Sequence, residues 1–277
     1  MEGKLNFIAD LIAKSLTKNK DELKRMFESS IDKVGVRYCY LDNLLPENLA
    51  LEIYNCFPEK EKMRMMSSFR ERKYTSKNFD QFNSLLSDIT FAIQEPKVIR
   101  IVEEITGIKN QQADSTLYAG GLSLMDKDSF LNPHIDNSHE QTRSFYRTLN
   151  LLYYISPEWK IEYGGNLELW DKAVKENVTI VSQYNRLVIM ETNPWSWHSV
   201  SPIVVDKKRI CVSNYYFSPD SPIGRDYFNV TSFSGRPNQK IRRLYSNVDS
   251  KLRNFIRFIF PAGIGKVDVY TGKSKQK

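Results

Sequence analysis

Apolar residues recur at helical spacing over the first part of the chain. Between positions 5 and 31 they follow the i, i+3, i+4 pattern of one helix face, with a polar interruption at 15–21, and this predicts one or two helices. A strand is predicted over 34–41 from its alternating apolar positions. A further helix is predicted to begin at Pro46-Glu47, because proline is favoured in the first turn of a helix.

The stretch up to residue 110 is predicted to be helical as well. The charged segment 59–77 is typical of a surface helix and loop. Residues 79–105 contain two apolar helical patterns that are separated by Pro96, and Gly107 is predicted to end the second helix. Residues 1–110 are therefore predicted to form a helical region with one lead-in strand, as part of the same domain as the residues that follow.

Beyond this region the pattern changes to short runs that are typical of strands. The predicted strands are 116–118, 147–155, 166–170, 178–181, 186–191 and 209–217. Gly164-Gly165 and Asn193-Pro194 fit tight connections, whereas the segment from Met125 to Pro133 is polar and irregular, and we expect its end to belong to a lid. Many short strands favour a sandwich or jelly roll over a wound α/β sheet. The predicted fold is mainly β with helical additions.

Composition indicates a folded protein with one large domain. Of the 277 residues, 41% are hydrophobic and 12% aromatic, too apolar for a disordered chain, and no stretch approaches the roughly 18 apolar residues of a membrane span. No secretory signal is evident, so the protein is predicted to be soluble and cytoplasmic. Cys39, Cys56 and Cys211 are widely spaced and fit reduced, buried thiols better than a disulfide framework or a zinc site.

The positive charge is concentrated at the end of the sequence. The net charge is +7, but residues 221–277 alone contain twelve Lys or Arg against three Asp, so the rest of the chain is slightly acidic. A helix is predicted over 239–260 with an apolar stripe opposite basic residues. We expect the stripe to pack on its own domain, with peripheral docking on a membrane or another protein as the alternative. A solvated basic face explains the charge, and nucleic acid is not an expected partner.

Only three histidines occur in the chain, and two lie where a metal site would need them. His134 and Asp136 are two residues apart, so on a strand both side chains face the same side. His198 follows 64 residues later and can return to this point where a jelly roll makes distant strands neighbours. Two imidazoles and one carboxylate are the ligands of mononuclear non-haem Fe(II) oxygenases, which keep open metal positions for reactants. The pattern therefore predicts redox chemistry on a bound substrate.

An ordered series of motifs surrounds these residues. In chain order it comprises Tyr118-Ala-Gly-Gly-Leu, Pro133-His-Ile-Asp, Leu149-Asn-Leu-Leu-Tyr-Tyr, Trp159, Gly164-Gly-Asn-Leu-Glu-Leu, Asn185-Arg-Leu-Val-Ile-Met, His198-Ser-Val-Ser-Pro and Arg209-Ile-Cys-Val-Ser-Asn-Tyr-Tyr-Phe. This series, over about 114–218, resembles the Fe(II)- and 2-oxoglutarate-dependent dioxygenases, specifically their prolyl-4-hydroxylase-like branch. Residues 36–46 and the helices after them also resemble the lead-in of that branch.

The resemblance implies a fold and a metal site. It implies a double-stranded β-helix, or jelly-roll, catalytic core at 111–218 and leaves 219–277 as a basic C-terminal extension. His134, Asp136 and His198 are the implied ligands of Fe(II).

The resemblance also implies residues for the co-substrate 2-oxoglutarate. Arg209 fits the cation that holds its far carboxylate, because a guanidinium binds a carboxylate through two parallel hydrogen bonds and stays charged when buried. The family usually places this cation slightly closer to the distal histidine, so Lys207 and Lys208 stay as alternatives. Tyr118 is a predicted second contact of the co-substrate.

The implied activity is hydroxylation of an unactivated C–H bond, with decarboxylation of 2-oxoglutarate to succinate and with ascorbate as a candidate reductant. Related halogenases have a small residue in place of the ligand carboxylate, whereas Asp136 is present here. Two alternatives stay open: a sensor of the same fold that binds iron and 2-oxoglutarate with little turnover, and a jelly-roll isomerase or hydrolase that uses another divalent ion.

The substrate and the oligomeric state are left open by the sequence. A small molecule or a protein side chain is expected, and collagen-type substrates are not. Residues that flank the ligands could contact the substrate, namely His139, Arg143, Arg147, Trp195 and Trp197. A surface loop explains His139 and Arg143 equally well, and at least one of the two tryptophans is expected to be part of the core.

Overall fold

The structure is a computed structural model that describes residues 2–76, 79–118, 120–241 and 243. The helices in this part of the chain are α1 (Glu2–Lys18), α2 (Lys20–Ser29), α3 (Ile31–Val34), α4 (Glu47–Asn55), α5 (Ser84–Ala92) and α6 (Pro96–Thr106). The strands are β1 (Tyr38–Leu41), β2 (Arg64–Ser67), β3 (Glu71–Thr75), β4 (Gln112–Ala113), β5 (Gly121–Met125), β6 (Phe130–Ile135), β7 (Tyr146–Tyr154), β8 (Leu167–Trp170), β9 (Asn177–Ile180), β10 (Arg186–Glu191), β11 (His198–Val200), β12 (Arg209–Ser218) and β13 (Ser232–Phe233).

The helix boundaries follow local chemistry that is visible in the sequence. Asn19 lies between α1 and α2. Its side-chain amide donates to the carbonyl of Ser15, and such local side-chain hydrogen bonds compete with the backbone hydrogen bonds of a helix. Pro96 is the first residue of α6, where its missing N–H costs nothing. Gly107 ends this helix at φ 73°, a left-handed conformation that glycine adopts without steric penalty. The predicted helices of the N-terminal region are confirmed, except over 59–77.

The strands form one curled antiparallel sheet whose two halves face each other. Along the sheet the strand order is β1-β10-β7-β12-β5-β3-β6-β11-β8-β9, with β2, β4 and β13 paired at its edges. Strand β3 joins the two halves, since it pairs with β5 over part of its length and with β6 over the rest. The predicted mainly β fold with a jelly-roll core and helical additions is confirmed.

Two apolar cores lie on opposite faces of the larger half of the sheet. On the outer face, side chains of β7, β10 and β12 pack against α1, α2, α4, α5 and α6. On the inner face, residues such as Tyr154, Val188 and Cys211 meet Leu167 and Leu169 of β8. The helical layer therefore supports the sheet from behind, and the inner face is left to form a site.

The prediction of a helix within 59–77 is wrong. Residues Arg64–Ser67 and Glu71–Thr75 form the β2–β3 hairpin, and Tyr74 of this hairpin is buried. The hairpin forms because β5 and β6 offer backbone partners to β3, a tertiary effect that the charged sequence does not reveal.

Two predictions near the start of the core are also wrong. The predicted strand at 116–118 is a turn, and Leu117 has φ 47°, which no strand accommodates. The predicted lid around Phe130 to Pro133 is instead strand β6. Asn132 explains this outcome, because its backbone N–H and its side-chain amide both donate to carbonyls at 69–70 in the β2–β3 turn. Backbone carbonyls that are distant in sequence thus accept the hydrogen bonds of this polar residue within β6.

The chain continues across the smaller half of the sheet after β12. Strand β13 pairs with β6, and Arg236 and Arg243 contact residues of the β8–β11 region. Most of the predicted helix at 239–260 lies outside the described residues, and the predicted domain boundaries stay predictions. No helix in the described ranges is both long and apolar enough to cross a membrane.

Candidate active site

Strands β6 and β11 bring the three predicted metal ligands together. His134 on β6 lies directly opposite His198 on β11, and their ring centroids are 4.1 Å apart. Asp136 follows β6, and its two carboxylate oxygens lie 3.6 Å from Nε2 of His134 and 3.6 Å from Nε2 of His198. One ligand atom from each residue fits within a 4.8 Å span. The spacing predicted from the sequence thus becomes a cluster through antiparallel pairing.

A hydrogen bond at Nδ1 orients each of the two imidazoles. Nδ1 of His134 lies 3.0 Å from the carbonyl oxygen of Asn132, and Nδ1 of His198 lies 3.0 Å from that of Ser196. A carbonyl can only accept, so Nδ1 carries the proton in each ring. Nε2 of each ring therefore carries the free lone pair and lies on the side of Asp136, as ligation of a metal by histidine requires.

The protonation states also suit metal ligation. Burial, together with the neighbouring His198, lowers the pKa of His134 to about 3, so this imidazole is neutral at physiological pH. Burial by itself would raise the pKa of Asp136, but His198, Arg147 and His134 outweigh it and hold this pKa at about 2. The cluster thus offers a neutral imidazole and an anionic carboxylate.

These residues fit a divalent cation such as Fe(II). Oδ2 of Asp136 is buried and accepts no hydrogen bond, and its cationic neighbour, Nη1 of Arg147, lies 3.5 Å away. A metal ion would therefore satisfy a buried oxygen that has no hydrogen-bond donor. The donor set of two imidazoles and one carboxylate is that of the non-haem Fe(II) facial triad.

Arg209 is buried on the inner face of β12, within the same barrel as this cluster. Its side chain points from β12 toward the opposite half of the sheet, where Nε donates to Oγ of Ser182 at 3.2 Å. Nη1 lies 3.6 Å from Sδ of Met125, which shares an apolar cluster with Val200, two residues beyond His198. Arg209 is 4% exposed, and within the described ranges no carboxylate pairs with it. A buried cation without an acidic partner is suited to an anionic ligand.

Tyr154 forms the other wall of this cationic pocket, and sequence reasoning missed it. The Arg209 guanidinium carbon lies 4.7 Å from the Tyr154 ring centroid, and the Tyr154 hydroxyl is buried without a hydrogen-bond partner. Burial raises the pKa of this hydroxyl, so it stays protonated and able to donate. Strand alternation could have predicted this neighbour. Cys211 is on the same strand face as Arg209, and Tyr154 lies opposite Cys211 on the adjacent strand.

The other predicted co-substrate residues lie in different surroundings. Tyr118 is half-buried in a bend before β5, and its predicted role stays a prediction. Lys208 is largely exposed and pairs with Glu59, and Lys207 is exposed near Glu158. The interior position of Arg209 favours it over both lysines as the carboxylate-binding residue.

Arg147 reaches the metal cluster because of a β-bulge. Counted back from Tyr154, strict alternation would place Arg147 on the outer face with Leu149. The pairing of β7 with β12 skips Thr148, however, and this extra residue turns Arg147 inward. Its Nη1 lies 3.5 Å from Oδ2 of Asp136, while Nε and Nη2 are buried without partners.

The remaining predicted substrate contacts border the cluster without touching it. His139 and Arg143 belong to the loop after β6, where Arg143 stacks over Phe228 at 3.9 Å. Trp195 and Trp197 line a cavity of about 500 Å³ together with residues 223–229. Ile135 also lines this cavity, so it adjoins the face of β6 opposite to the ligand side chains.

Comparison with known proteins identifies the barrel. Residues 120–217 match the model of the 2OG-Fe(II) oxygenase superfamily. Mouse prolyl 3-hydroxylase OGFOD1 is 28% identical over 88 residues, which are 30% of this chain but only 16% of that protein. The chain therefore corresponds to a small part of this relative.

Solved structures of low sequence identity share the fold. A prolyl hydroxylase from Trichoplax adhaerens, in complex with a peptide fragment of the hypoxia inducible factor oxygen degradation domain, has a TM-score of 0.52 and 16% identity, covering 73% of this chain and 92% of its own. A prolyl 4-hydroxylase from Phytophthora capsici has a TM-score of 0.54 and 13% identity, covering 90% and 78%.

These matches confirm the predicted resemblance to the 2OG-Fe(II) oxygenase superfamily, and the solved structures share the fold of this chain. The metal cluster and Arg209 both lie within the matched range. Residues 120–217 of this chain are therefore similar to the 2OG-Fe(II) oxygenase superfamily, as the series of motifs in the sequence predicted.

Proposed function

We propose that this chain is an Fe(II)- and 2-oxoglutarate-dependent dioxygenase that hydroxylates an unactivated C–H bond and converts 2-oxoglutarate to succinate. One observation carries the proposal: the His134, Asp136 and His198 cluster and the unpaired Arg209 lie inside the same barrel. A metal and an anionic co-substrate each need one of these features.

Each residue has a role that follows from its surroundings. His134, Asp136 and His198 hold the metal from one side, and Arg209 with Tyr154 binds the far carboxylate of 2-oxoglutarate deeper in the barrel. When bound, iron and 2-oxoglutarate supply the oxidising chemistry. Met125 and the ring of Tyr154 lie against the Arg209 guanidinium, exclude water from it and so strengthen its attraction for a carboxylate.

The Tyr154→Phe variant is expected to bind 2-oxoglutarate more weakly. Loss of one hydrogen bond to a charged group costs about 1.5 kcal/mol, which is roughly tenfold in Kd. Anaerobic titration of the Fe(II)-loaded protein with 2-oxoglutarate measures the change. Tyr153→Phe is the matched control, because the Tyr153 hydroxyl faces outward and donates to Asn185 at 2.9 Å. Equal weakening in both variants would contradict a role for Tyr154 in the pocket.

The Arg147→Met variant is expected to bind Fe(II) about 10- to 100-fold more weakly, because it removes the guanidinium that orients the carboxylate of Asp136, and this loss outweighs the reduced charge repulsion. Arg147→Lys keeps the positive charge and should retain more of the affinity. Anaerobic Fe(II) titration measures both. Arg143→Met serves as the control, since Arg143 lies over Phe228 rather than at the cluster. An Arg147→Met protein with unchanged Fe(II) affinity would refute this role.

The test of the proposed activity is oxygen-dependent formation of succinate. Purified protein with Fe(II), 2-oxoglutarate and ascorbate is expected to release succinate and to consume oxygen, and omission of any one of iron, co-substrate or oxygen should stop it. Omitting ascorbate tests whether a reductant sustains turnover. Protein that binds Fe(II) and 2-oxoglutarate but never forms succinate would favour the sensor alternative.

The substrate class that we propose is a small molecule or a protein side chain. The mouse relative is a prolyl 3-hydroxylase, and the Trichoplax adhaerens enzyme holds a peptide, which makes a prolyl residue in a peptide one candidate. Succinate release stimulated by proline-containing peptides but not by free proline would support a peptide substrate. Stimulation by free amino acids or other metabolites alone would instead identify a small molecule.

We also propose that the protein acts in a reducing compartment such as the cytoplasm. Cys39, Cys56 and Cys211 are all free thiols, and Cys39 and Cys211 are buried. Burial raises the pKa of the Cys211 thiol to about 12, which keeps it unreactive. Recovery of the protein from a secreted fraction would contradict this location.

A further inference from the structure

The chain that follows the barrel contacts the surroundings of all three metal-ligand residues. Residues 229–236, here called the clamp, cross from the loop after β6, along the edge of β6, to the outer side of β11. Three of its side chains, Asn229, Phe233 and Arg236, make these contacts.

Asn229 contacts the backbone of Asp136. Its side-chain amide donates to the carbonyl oxygen of Asp136 at 2.8 Å. Its own backbone is held by Ser138, whose N–H donates to the Asn229 carbonyl at 3.0 Å and whose Oγ accepts from the Asn229 N–H at 3.0 Å. Asn229 therefore fixes the backbone of Asp136, the residue that directly follows β6.

Phe233 contacts the imidazole of His134. Strand β13 pairs with β6 so that Phe233 lies opposite His134, and their rings stack with centroids 5.3 Å apart and an interplanar angle of 20°. The next residue, Ser234, donates its N–H to the carbonyl of Pro133 at 2.7 Å. The ring of His134 is thus restrained by a stacking partner in addition to its Nδ1 hydrogen bond.

Arg236 holds the short strand that carries His198. Its Nη2 pairs with Oε2 of Glu168 at 2.7 Å and donates to the carbonyl of Val200 at 3.1 Å. The same Glu168 oxygen accepts from Oγ of Ser199 at 2.6 Å. Nη2 of Arg236 also lies 3.5 Å from Oγ of Ser199, so Arg236 reaches both residues that follow His198 directly, and Ser199 through Glu168 as well.

Strand β11 needs such support because it is short. It contains three residues, and its pairing with β6 shifts register between His198 and Val200. A three-residue strand with an irregular ladder on one side has few backbone hydrogen bonds to fix its position. The buried ion pair between Arg236 and Glu168 adds a directed restraint that the ladder does not supply.

We propose that the clamp sets the affinity of the site for its metal, with Arg236 as the positioning residue for His198. This inference rests on the proposed metal site. Groups that orient ligands typically change metal affinity by about 10- to 100-fold when they are removed. The clamp lies after the range that matches the family model, so it is a feature of this chain's C-terminal extension.

Metal binding by the full chain tests the proposal, with Co(II) under anaerobic conditions as an optical probe. Arg236→Gln is expected to bind Co(II) about 10- to 100-fold more weakly than the wild type. Arg243→Gln is the matched control. Arg243 follows the clamp by seven residues and also donates to a backbone carbonyl, but this carbonyl belongs to Ala173, which is not one of the predicted ligands or their strand neighbours. Arg236→Lys keeps the charge opposite Glu168 and is expected to recover part of the affinity.

A second variant covers the case in which Arg236→Gln does not fold. Phe233→Leu removes the stacking partner of His134 at similar volume and is also expected to weaken Co(II) binding and to alter its absorption spectrum. Thermal unfolding of each apo-protein separates metal affinity from stability. Wild-type affinity in the folded variants at 233 and 236 would overturn the proposal, as would equal weakening by Arg243→Gln.

The proposed metal site and the proposed role of the clamp can be refuted separately. If the wild type binds neither Co(II) nor Fe(II), the proposed metal site and function fail. If the wild type binds the metal and forms succinate while Arg236→Gln and Phe233→Leu bind it equally well, the clamp alone is refuted.

Discussion

The His198→Ala variant is expected to lose succinate formation altogether while it keeps its fold. His198 supplies one of only two imidazoles at the site, and without it the metal retains two protein ligands, His134 and Asp136. Outside the cluster, the His198 ring makes one hydrogen bond, from Nδ1 to the carbonyl of Ser196, so its removal breaks little of the surrounding structure. Anaerobic addition of Fe(II) and 2-oxoglutarate should give the visible charge-transfer band of the chelate in the wild type and none in the variant.

His139→Ala is the control for this experiment. It removes the remaining histidine of the chain, which is hydrogen-bonded to Ser138 and packed on Tyr146 rather than directed at the metal cluster. The His139 variant should retain the charge-transfer band. A band of wild-type strength in His198→Ala, or its loss in folded His139→Ala, would show that the ligands are assigned incorrectly.

The Arg209→Gln variant is expected to bind 2-oxoglutarate about 10²-fold more weakly, while its Fe(II) affinity stays unchanged. Removing one partner of a buried, hydrogen-bonded charge pair costs about 2–5 kcal/mol, and about 2.7 kcal/mol is 10²-fold in Kd. The measurement is the 2-oxoglutarate concentration that half-saturates the charge-transfer band. The apo-variant should be no less stable than the wild type, because Arg209 has no acidic partner within the described residues to lose.

Lys208→Gln provides the matched control for Arg209. Lys208 is the adjacent cation, but it is largely exposed and pairs with Glu59 at the surface. Its replacement should leave 2-oxoglutarate affinity within experimental error. If Lys208→Gln weakened binding and Arg209→Gln did not, the carboxylate-binding residue would be Lys208, despite its exposed position.

Much of the barrel could be predicted from local patterns. Strand β10 has the predicted bounds 186–191, and strand β12 extends the predicted 209–217 by one residue, because β-branched, aromatic and other apolar residues predominate in both strands. Failures occur where pairing with a distant segment determines the local structure. The β2–β3 hairpin is rich in charged residues, and strand β6 contains Asn132 and Pro133, which are both unfavourable in strands. Each of the two segments is held by backbone partners from the other.

The residues of the site also divide into those that local sequence patterns predict and those that only the folded structure brings together. Spacing and motif order predicted His134, Asp136, His198 and Arg209, because residue identity determines ligand chemistry. Alternation along β7 could have added Tyr154. Arg147 is different, since alternation from Tyr154 places it on the wrong face, and only the bulge at Thr148 turns it toward the metal cluster.

By itself the sequence determined the candidate ligands of the site and the position of several core strands, because ligand type and strand propensity are properties of individual residues and short segments. Only the tertiary structure decided which groups surround those ligands. Asn229, Phe233 and Arg236 lie 31–38 residues beyond His198, in a Gly- and Pro-containing segment with no recognisable motif. Their contacts with the ligand-bearing strands depend on how the chain folds back over β6 and β11, and short-range sequence patterns carry no information about such long-range packing.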